Sequence, residues 1–173
     1  ILKYILSKKG LNYGNTPKGL IDFHIYRDFV RTAFDEHIVE AAMYASANKT
    51  ARLHFTVSEE YQNLFQARLK KVTKVFEKMF GVKYDVSFSI QKPSTDTVSI
   101  DSEGNLLRDE EGQIVFRPGG HGALIHNLNE LDADIIFIKN IDNVIPDRAK
   151  NDTVKYKKIL AGILLDVQQK VFD

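Results

Sequence analysis

The sequence contains no cysteine among its 173 residues. Disulfide frameworks, thiolate zinc sites and a cysteine nucleophile are therefore excluded. No apolar run approaches the roughly 20 residues that a membrane-spanning helix needs. The first ten residues, ILKYILSKKG, are too short and too polar at one end to form a signal peptide. We therefore expect a cytoplasmic protein with no membrane partner.

The chain also lacks a large excess of charge of either sign, since its formal net charge is +1 at pH 7. This excludes the broad positive field of a dedicated duplex-DNA binder, so any anion that binds must be held by a local site. Four lysines, Lys70, Lys71, Lys74 and Lys78, share the later turns of a predicted helix. We interpret them as a solvated helix face and expect no nucleic-acid partner.

Familiar hydrolytic patterns are missing as well. No serine lies in a nucleophile-elbow context, and the five histidines show no HExxH or comparable metal spacing. Neighbouring carboxylates occur in the turn at Asp109, Glu110 and Glu111, where solvation explains them. The sequence gives no support for hydrolase chemistry.

The length and the composition, with 43% hydrophobic and 27% charged residues, predict one compact domain over residues 1–173. The chain begins with Ile1 rather than methionine, and a helical pattern is still running at Asp173. We therefore expect a domain that is truncated at both ends.

Hydrophobic periodicity predicts helices alternating with strands. Thr32 and Asp35 form a capping-box pattern at the start of a helix that we expect to end near Ala47. Ser58 is a candidate cap for a second helix that closes at Gly81. The other predicted elements are strands at 19–26, 53–57, 82–91 and 135–138, a short helix after Gly122, and a long C-terminal helix.

This alternation predicts a three-layer α/β/α fold with a mostly parallel, Rossmann-like sheet. The unbroken apolar run at 135–138 is typical of a strand that helices cover on both faces. The polar turns DSEGN and RDEEGQ separate short apolar runs, so residues 97–117 are expected to form a β-hairpin insert, the only antiparallel exception.

Ligands of open α/β sheets bind beyond the carboxyl ends of the strands. Asp142 follows the predicted strand at 135–138, and its carboxylate could bind Mg²⁺, which prefers oxygen ligands. The alternative interpretation is a polar turn stabilised by Asx hydrogen bonds.

Two further loops contain candidate groups. Glycines in the turn 118–122 would let backbone N–H groups approach an anion at a helix N-terminus, although the same residues also fit an ordinary turn with His121 at the surface. Lys18 precedes the first predicted strand, where the alternative is a solvated side chain without a role.

In chain order, four motifs carry a resemblance: TPKG at 16–19, IQKP at 90–93, RPGGHGAL at 117–124 and FIKNIDN at 137–143. Together they resemble the UTP–sugar-1-phosphate uridylyltransferases, which are the UDP-glucose and UDP-N-acetylglucosamine pyrophosphorylases. The resemblance covers most of the chain and is strongest over residues 116–143. The sequence is also similar to a bacterial family of unknown function in the same superfamily.

The resemblance implies a GT-A-like nucleotide-diphospho-sugar transferase fold that transfers a uridylyl group from UTP to a sugar 1-phosphate and releases pyrophosphate. By similarity, Lys18 is the catalytic cation that faces the phosphates, and Gln91 reads the uracil edge. Gly120, His121 and Gly122 would let the backbone close on the nucleotide. Asp142 would bind the Mg²⁺ cofactor.

Some positions depart from the family pattern. Ala123 replaces an aspartate after Gly-His-Gly, and Gly119 replaces a second proline, so the sugar specificity stays open. The glycine-rich, arginine-containing loop expected upstream of Lys18 is not in the chain, so we expect activity from the full-length protein and none from this chain alone.

Two alternatives remain. One is a non-catalytic module of the same fold that binds a nucleotide or a sugar nucleotide. The other is a GT-A glycosyltransferase, which is disfavoured because Asn140-Ile141-Asp142 supplies one carboxylate where an Asp-x-Asp supplies two.

Overall fold

The computed structural model describes residues 1–173, and the chain has a mixed α/β fold with small sheets. The α-helices are α1 (Leu2–Leu6), α2 (Ala33–Tyr44), α3 (Gln62–Phe80), α4 (Ile125–Leu128) and α5 (Lys150–Phe172). The strands are β1 (Asp22–Ile25), β2 (Val30–Thr32), β3 (Ser46–Ala47), β4 (Thr50–Val57), β5 (Lys83–Ile90), β6 (Thr97–Val98) and β7 (Phe116–Arg117).

The contacts divide the chain into two compact units. Unit 1 comprises residues 1–53, 63–86 and 135–173, and unit 2 comprises residues 54–62 and 87–134. Unit 1 contains α1, α2, α5 and all of α3 except Gln62, and unit 2 contains α4 and the β6–β7 pair.

Helix α2 forms the centre of unit 1. The Thr32 hydroxyl accepts a hydrogen bond from the Asp35 amide at 3.2 Å, and an Asp35 carboxylate oxygen accepts one from the Thr32 amide at 3.0 Å. This reciprocal capping box is the one that the sequence predicts, and it fixes the start of the helix. Phe34 and Ile38 on the apolar stripe are fully buried.

The helix ends three residues earlier than predicted because a hairpin follows it. Ser46 and Ala47 pair antiparallel with Thr50 and Ala51. Asn48 and Lys49 between these strands both have positive φ angles, 50° and 59°. Positive φ at both central positions belongs to a type I′ turn, the connection that suits a two-residue hairpin.

The strands form three small sheets, with the orders β1–β2, β3–β4–β5 and β6–β7. The β1–β2, β3–β4 and β6–β7 pairs are antiparallel, so the predicted insert is not the only antiparallel element. Three side-chain contacts join β4 to β5: Arg52 with Asp85, His54 with Ser87 and Thr56 with Ser89. The residue numbers rise in the same direction along both strands. Such contacts indicate a parallel pair, and helix α3 connects its two strands.

The predicted buried strand at 135–138 is wrong, because this segment pairs with no other strand. Ile136 and Ile138 are 38% and 67% exposed. The Phe137 ring lies 5.1 Å from the Tyr44 ring of α2, and the Lys157 ammonium of α5 lies 5.9 Å from it. Alternate side chains of the apolar run, Ile135 and Phe137, are thus partly buried while the other two are exposed. An apolar run does not by itself determine whether the segment pairs with another strand.

Helix α5 begins at Lys150, whose side chain is buried, and its later residues are mostly exposed. None of the helices combines the length and the apolar character required to cross a lipid bilayer.

Replacing Thr32 with alanine should lower the free energy of unfolding by about 1 kcal/mol, because the first turn of α2 loses its cap. Urea unfolding followed by circular dichroism measures this change. The control is Ser58→Ala, since Ser58 precedes a turn at Glu59–Tyr61 but makes no side-chain capping bond. Equal losses in the two variants would contradict the capping role of Thr32.

Candidate functional site

Lys18 and Asp142, which the sequence motifs predict to act at one site, are in contact in unit 1. The Lys18 ammonium lies 3.3 Å from a carboxylate oxygen of Asp142, although 124 positions separate them in the sequence. Their side chains are 76% and 46% exposed. An exposed pair of this kind contributes little to stability. Both groups are therefore open to a ligand from solvent.

Close packing of Gly19 against Ile141 brings this pair together. A Cβ atom built on Gly19 would lie 2.8 Å from the Phe65 ring and 3.0 Å from Cγ1 of Ile141. Any side chain at position 19 would therefore displace one of these neighbours. Since Lys18 precedes Gly19 and Asp142 follows Ile141, this contact places the backbone segments that carry the two charged groups next to each other.

Helix α2 holds the segment that carries Asp142, which we call the Asp142 loop (residues 139–150). Before Asp142, Lys139 forms a 2.5 Å ion pair with the buried carboxylate of Glu40. After it, Lys150 lies 2.8 Å from the Glu36 carboxylate. Between them, Nε2 of His37 lies 3.0 Å from the carbonyl oxygen of Ile141.

The anchoring carboxylates belong to a buried charge network. Glu36 and Glu40 are both completely buried. Glu36 accepts hydrogen bonds from the Tyr26 hydroxyl at 2.7 Å and from Arg31 at 3.4 Å. Arg31 also binds Asp147 at 2.6 Å, so β2, α2 and the Asp142 loop share one network. Sequence reasoning missed it, although two glutamates four residues apart on one face of a predicted helix are a usable signal.

The network shifts the ionisation of its members. Burial by itself would raise the pKa of the Glu36 carboxyl, but hydrogen bonds from Lys150, Tyr26 and His24 hold that pKa below its usual range. Burial, together with the hydrogen bond to Glu36, raises the pKa of the Tyr26 hydroxyl. Glu36 is therefore a carboxylate and Tyr26 a neutral donor at neutral pH.

Gln91 and the glycine turn meet in unit 2. The Gln91 amide nitrogen donates to the carbonyl oxygen of Gly119 and to the hydroxyl of Thr95, both at 3.3 Å. A Cβ atom on Gly119 would lie 2.5 Å from the Thr95 carbonyl oxygen, so this position requires glycine.

The remaining residues of the turn are more open. A Cβ atom on Gly120 or Gly122 would meet nothing within 4 Å, so there is space next to the backbone here. His121 is exposed and begins a 3-10 turn that leads into α4.

Asn127 of α4 ties this turn to the end of β5. Its amide nitrogen donates to the Ser89 hydroxyl and to the Ile90 carbonyl, both at 2.9 Å. Ser89 also bonds His54 at 2.8 Å. Asn127 is only 3% exposed, and its amide oxygen has no protein partner. Sequence reasoning missed this residue, which carries no motif of its own.

Each unit thus assembles a separate part of the predicted site. Lys18 and Asp142 belong to unit 1, and Gln91, Gly120, His121 and Gly122 belong to unit 2. The convergence of all these residues on one nucleotide stays a prediction.

The fit of a magnesium ion depends on Asp142. No group of three or more histidine or acidic side chains is arranged to hold a metal ion. Mg²⁺ often uses only one or two protein carboxylates and takes its other ligands from substrate phosphates and water. The exposed carboxylate of Asp142 fits that mode as a single protein ligand. The Mg²⁺ prediction therefore rests on one carboxylate.

Two open cavities in unit 1 do not include the predicted residues. One, of about 460 Å³, has four lysines in its lining, Lys49, Lys74, Lys78 and Lys83. The other, of about 360 Å³, is lined by residues of α3 together with Leu20, Asp22 and Thr32. Neither cavity contains Lys18 or Asp142, and both of these side chains are exposed to solvent.

The fold and these contacts define a mixed α/β protein in which an exposed lysine–aspartate pair is supported by buried charges. Residues 1–173 match the family model of DUF4301, a domain of unknown function, and the chain belongs to that family. The comparisons with curated proteins and with solved structures found no match.

Replacing Lys150 with methionine should cost about 3–5 kcal/mol of unfolding free energy, because Glu36 and Glu40 lose a buried cation. The control is Lys83→Met, which removes the exposed ion pair with Glu77 and should cost about 1 kcal/mol or less. Urea unfolding of both variants gives the comparison. If both variants lose a similarly small amount of unfolding free energy, the buried network does not stabilise the fold as predicted.

Acid should destabilise the wild-type protein partly through Glu36. A carboxyl group whose pKa is lower in the folded state stabilises the fold above its unfolded value, and this contribution is lost as pH falls through the folded pKa. The usual glutamate value here is 4.5. Below pH 4.5, the unfolding free energy of Glu36→Gln should therefore fall less steeply than that of wild type. Equal slopes in urea titrations would contradict this prediction.

Proposed function

We propose that this chain is the core of a nucleotidyltransferase that transfers a uridylyl group from UTP to a sugar 1-phosphate and releases pyrophosphate. The observation that carries the proposal is the 3.3 Å contact between Lys18 and Asp142. A catalytic cation and a metal-binding carboxylate have to lie side by side to act on the same phosphates. Two motifs on distant parts of the sequence supply this pair.

The proposal includes a three-layer, Rossmann-like fold of the GT-A type. Its support is the succession of β4, α3 and β5, in which a helix connects two strands whose contacts advance in parallel. This β–α–β arrangement is the building unit of parallel α/β sheets.

In the proposed reaction, an oxygen of the sugar 1-phosphate attacks the α-phosphorus of UTP. The bond from that phosphorus to the bridging oxygen of the β-phosphate breaks, and pyrophosphate leaves with the bonding electrons. The Lys18 ammonium, now paired with Asp142, would turn to the phosphate oxygens and neutralise their charge. Asp142 would hold Mg²⁺, which supplies Lewis acidity and a template for the phosphates.

Gln91 and the glycine turn would bind the nucleoside in this proposal. A primary amide has both donors and an acceptor. Because the amide nitrogen of Gln91 already donates to Thr95 and Gly119, its amide oxygen would accept from the N–H group on the edge of the uracil base. The existing bond from Gln91 to Gly119 couples the base reader to the turn. The open backbone at Gly120 and Gly122 would then approach the nucleotide, with His121 at its edge.

A second candidate is a non-catalytic module that binds a nucleotide or a sugar nucleotide. One observation favours it: Asp142 has no further acidic residues arranged with it to hold a metal. A GT-A glycosyltransferase is less well supported, because position 140 is asparagine rather than a second aspartate.

The protein that contains this chain should release pyrophosphate from UTP and a sugar 1-phosphate in the presence of Mg²⁺. Asp142→Asn and Lys18→Met should each lower kcat by about 100-fold or more, as expected when a charge that stabilises the transition state is removed. A coupled pyrophosphate assay measures kcat, and titration calorimetry measures the binding of UTP. UTP should still bind to the Lys18 variant.

The matched controls are Asp152→Asn and Lys70→Met, which remove exposed charges elsewhere and should leave turnover unchanged. Binding of a UDP-sugar without pyrophosphate release would contradict the transferase function and support the non-catalytic binding module. Failure of UTP and UDP-sugars to bind would overturn both candidates.

A further inference from the structure

We propose that His37 is a positioning residue that keeps Asp142 within reach of Lys18, an inference that rests on the proposed function. Nε2 of His37 lies 3.0 Å from the carbonyl oxygen of Ile141, the residue that precedes Asp142. A carbonyl oxygen only accepts, so Nε2 carries the proton and donates. The imidazole therefore fixes the backbone next to the candidate metal ligand.

The two ends of the Asp142 loop are secured independently of His37. Lys139 binds Glu40 near one end, and Lys150 binds Glu36 at the other. Ten residues lie between these anchors, and ion pairs at the ends do not fix the conformation of the middle. The bond from His37 acts in this interval, one residue away from Asp142.

Ile141 is held from two sides. Its carbonyl oxygen accepts the bond from His37, and its side chain packs where Gly19 leaves room. Because Lys18 adjoins Gly19, a shift of Ile141 would change the separation of the Lys18 and Asp142 charges. A displacement of about 1 Å in a catalytic site can cost about 100-fold in rate.

The rigidity of α2 makes His37 suitable for this role. The neighbouring Glu36 and Ile38 are fully buried, and the capping box fixes the first turn of the helix. Burial lowers the pKa of His37, and the nearby Lys139 acts in the same direction. A neutral imidazole supplies the hydrogen bond without a further positive charge beside the Lys18–Asp142 pair.

Three variants test the contact: His37→Gln places an amide N–H near the position of Nε2, His37→Asn is too short to reach it, and His37→Leu has no donor. Val39→Ala is the control, because it removes buried methyl groups from the same helix and no hydrogen-bonding group. Amide hydrogen exchange at Asp142 and Asn143 is measured in the protein that contains this chain, together with kcat, KM for UTP and the Mg²⁺ dependence.

We expect faster exchange at Asp142 and Asn143 in the leucine and asparagine variants, with kcat reduced about 10- to 100-fold and KM for UTP changed by less than about threefold. His37→Gln should recover most of kcat, and Val39→Ala should leave both the exchange of the loop and kcat near wild type. If the leucine variant does not fold, the glutamine and asparagine pair gives the same contrast.

Unchanged exchange at Asp142 and Asn143 in His37→Leu and His37→Asn would overturn the positioning role, whatever the activity. Equal losses of kcat in His37→Gln and His37→Asn would also overturn it. Wild-type protein that releases no pyrophosphate would instead overturn the proposed function, while faster exchange in the same variants would still establish that His37 holds the loop.

Discussion

The burial of Glu36 and Glu40 in helix α2 is the constraint on which unit 1 depends. A carboxylate that is removed from water is costly unless cations and hydrogen-bond donors surround it. The partners come from β2, from the segment before Asp142 and from the first residue of α5: Arg31, Lys139 and Lys150. The network therefore determines which segments must pack against α2, and it does so through directed bonds that apolar packing alone does not provide.

This constraint explains how an exposed pair can have a defined geometry. The contact between Lys18 and Asp142 is too exposed to hold a loop by itself. The loop is held by α2 and by the close approach of Ile141 to Gly19, so its position does not depend on the exposed ion pair alone. Buried charges maintain the position, and exposed charges remain available to a ligand.

Local patterns predict the helices and the principal strands, because a capping box, an apolar stripe and strict alternation are each encoded within a few residues. Thr32 shows this well, whereas Ser58 has the right position but makes no capping bond. The segment 135–138 fails because strand pairing depends on a neighbour that periodicity does not specify. The motif order anticipates the meeting of Lys18 with Asp142, but neither the buried glutamates nor His37 carry a motif, since their role exists only in the folded packing.

A shifted pKa is often taken as a sign of an active site, yet structural ion-pair networks produce the same signal. Here Glu36, whose carboxyl pKa is lowered, is completely buried, and it accepts hydrogen bonds from Lys150, Tyr26 and His24. A substrate phosphate has no access to it. Asp142 is close to the same helix but remains 46% exposed beside the Lys18 ammonium. Access to a ligand, rather than a shifted pKa, therefore makes Asp142 the candidate carboxylate for ligand binding, and Glu36 contributes to the packing of the loop that carries it.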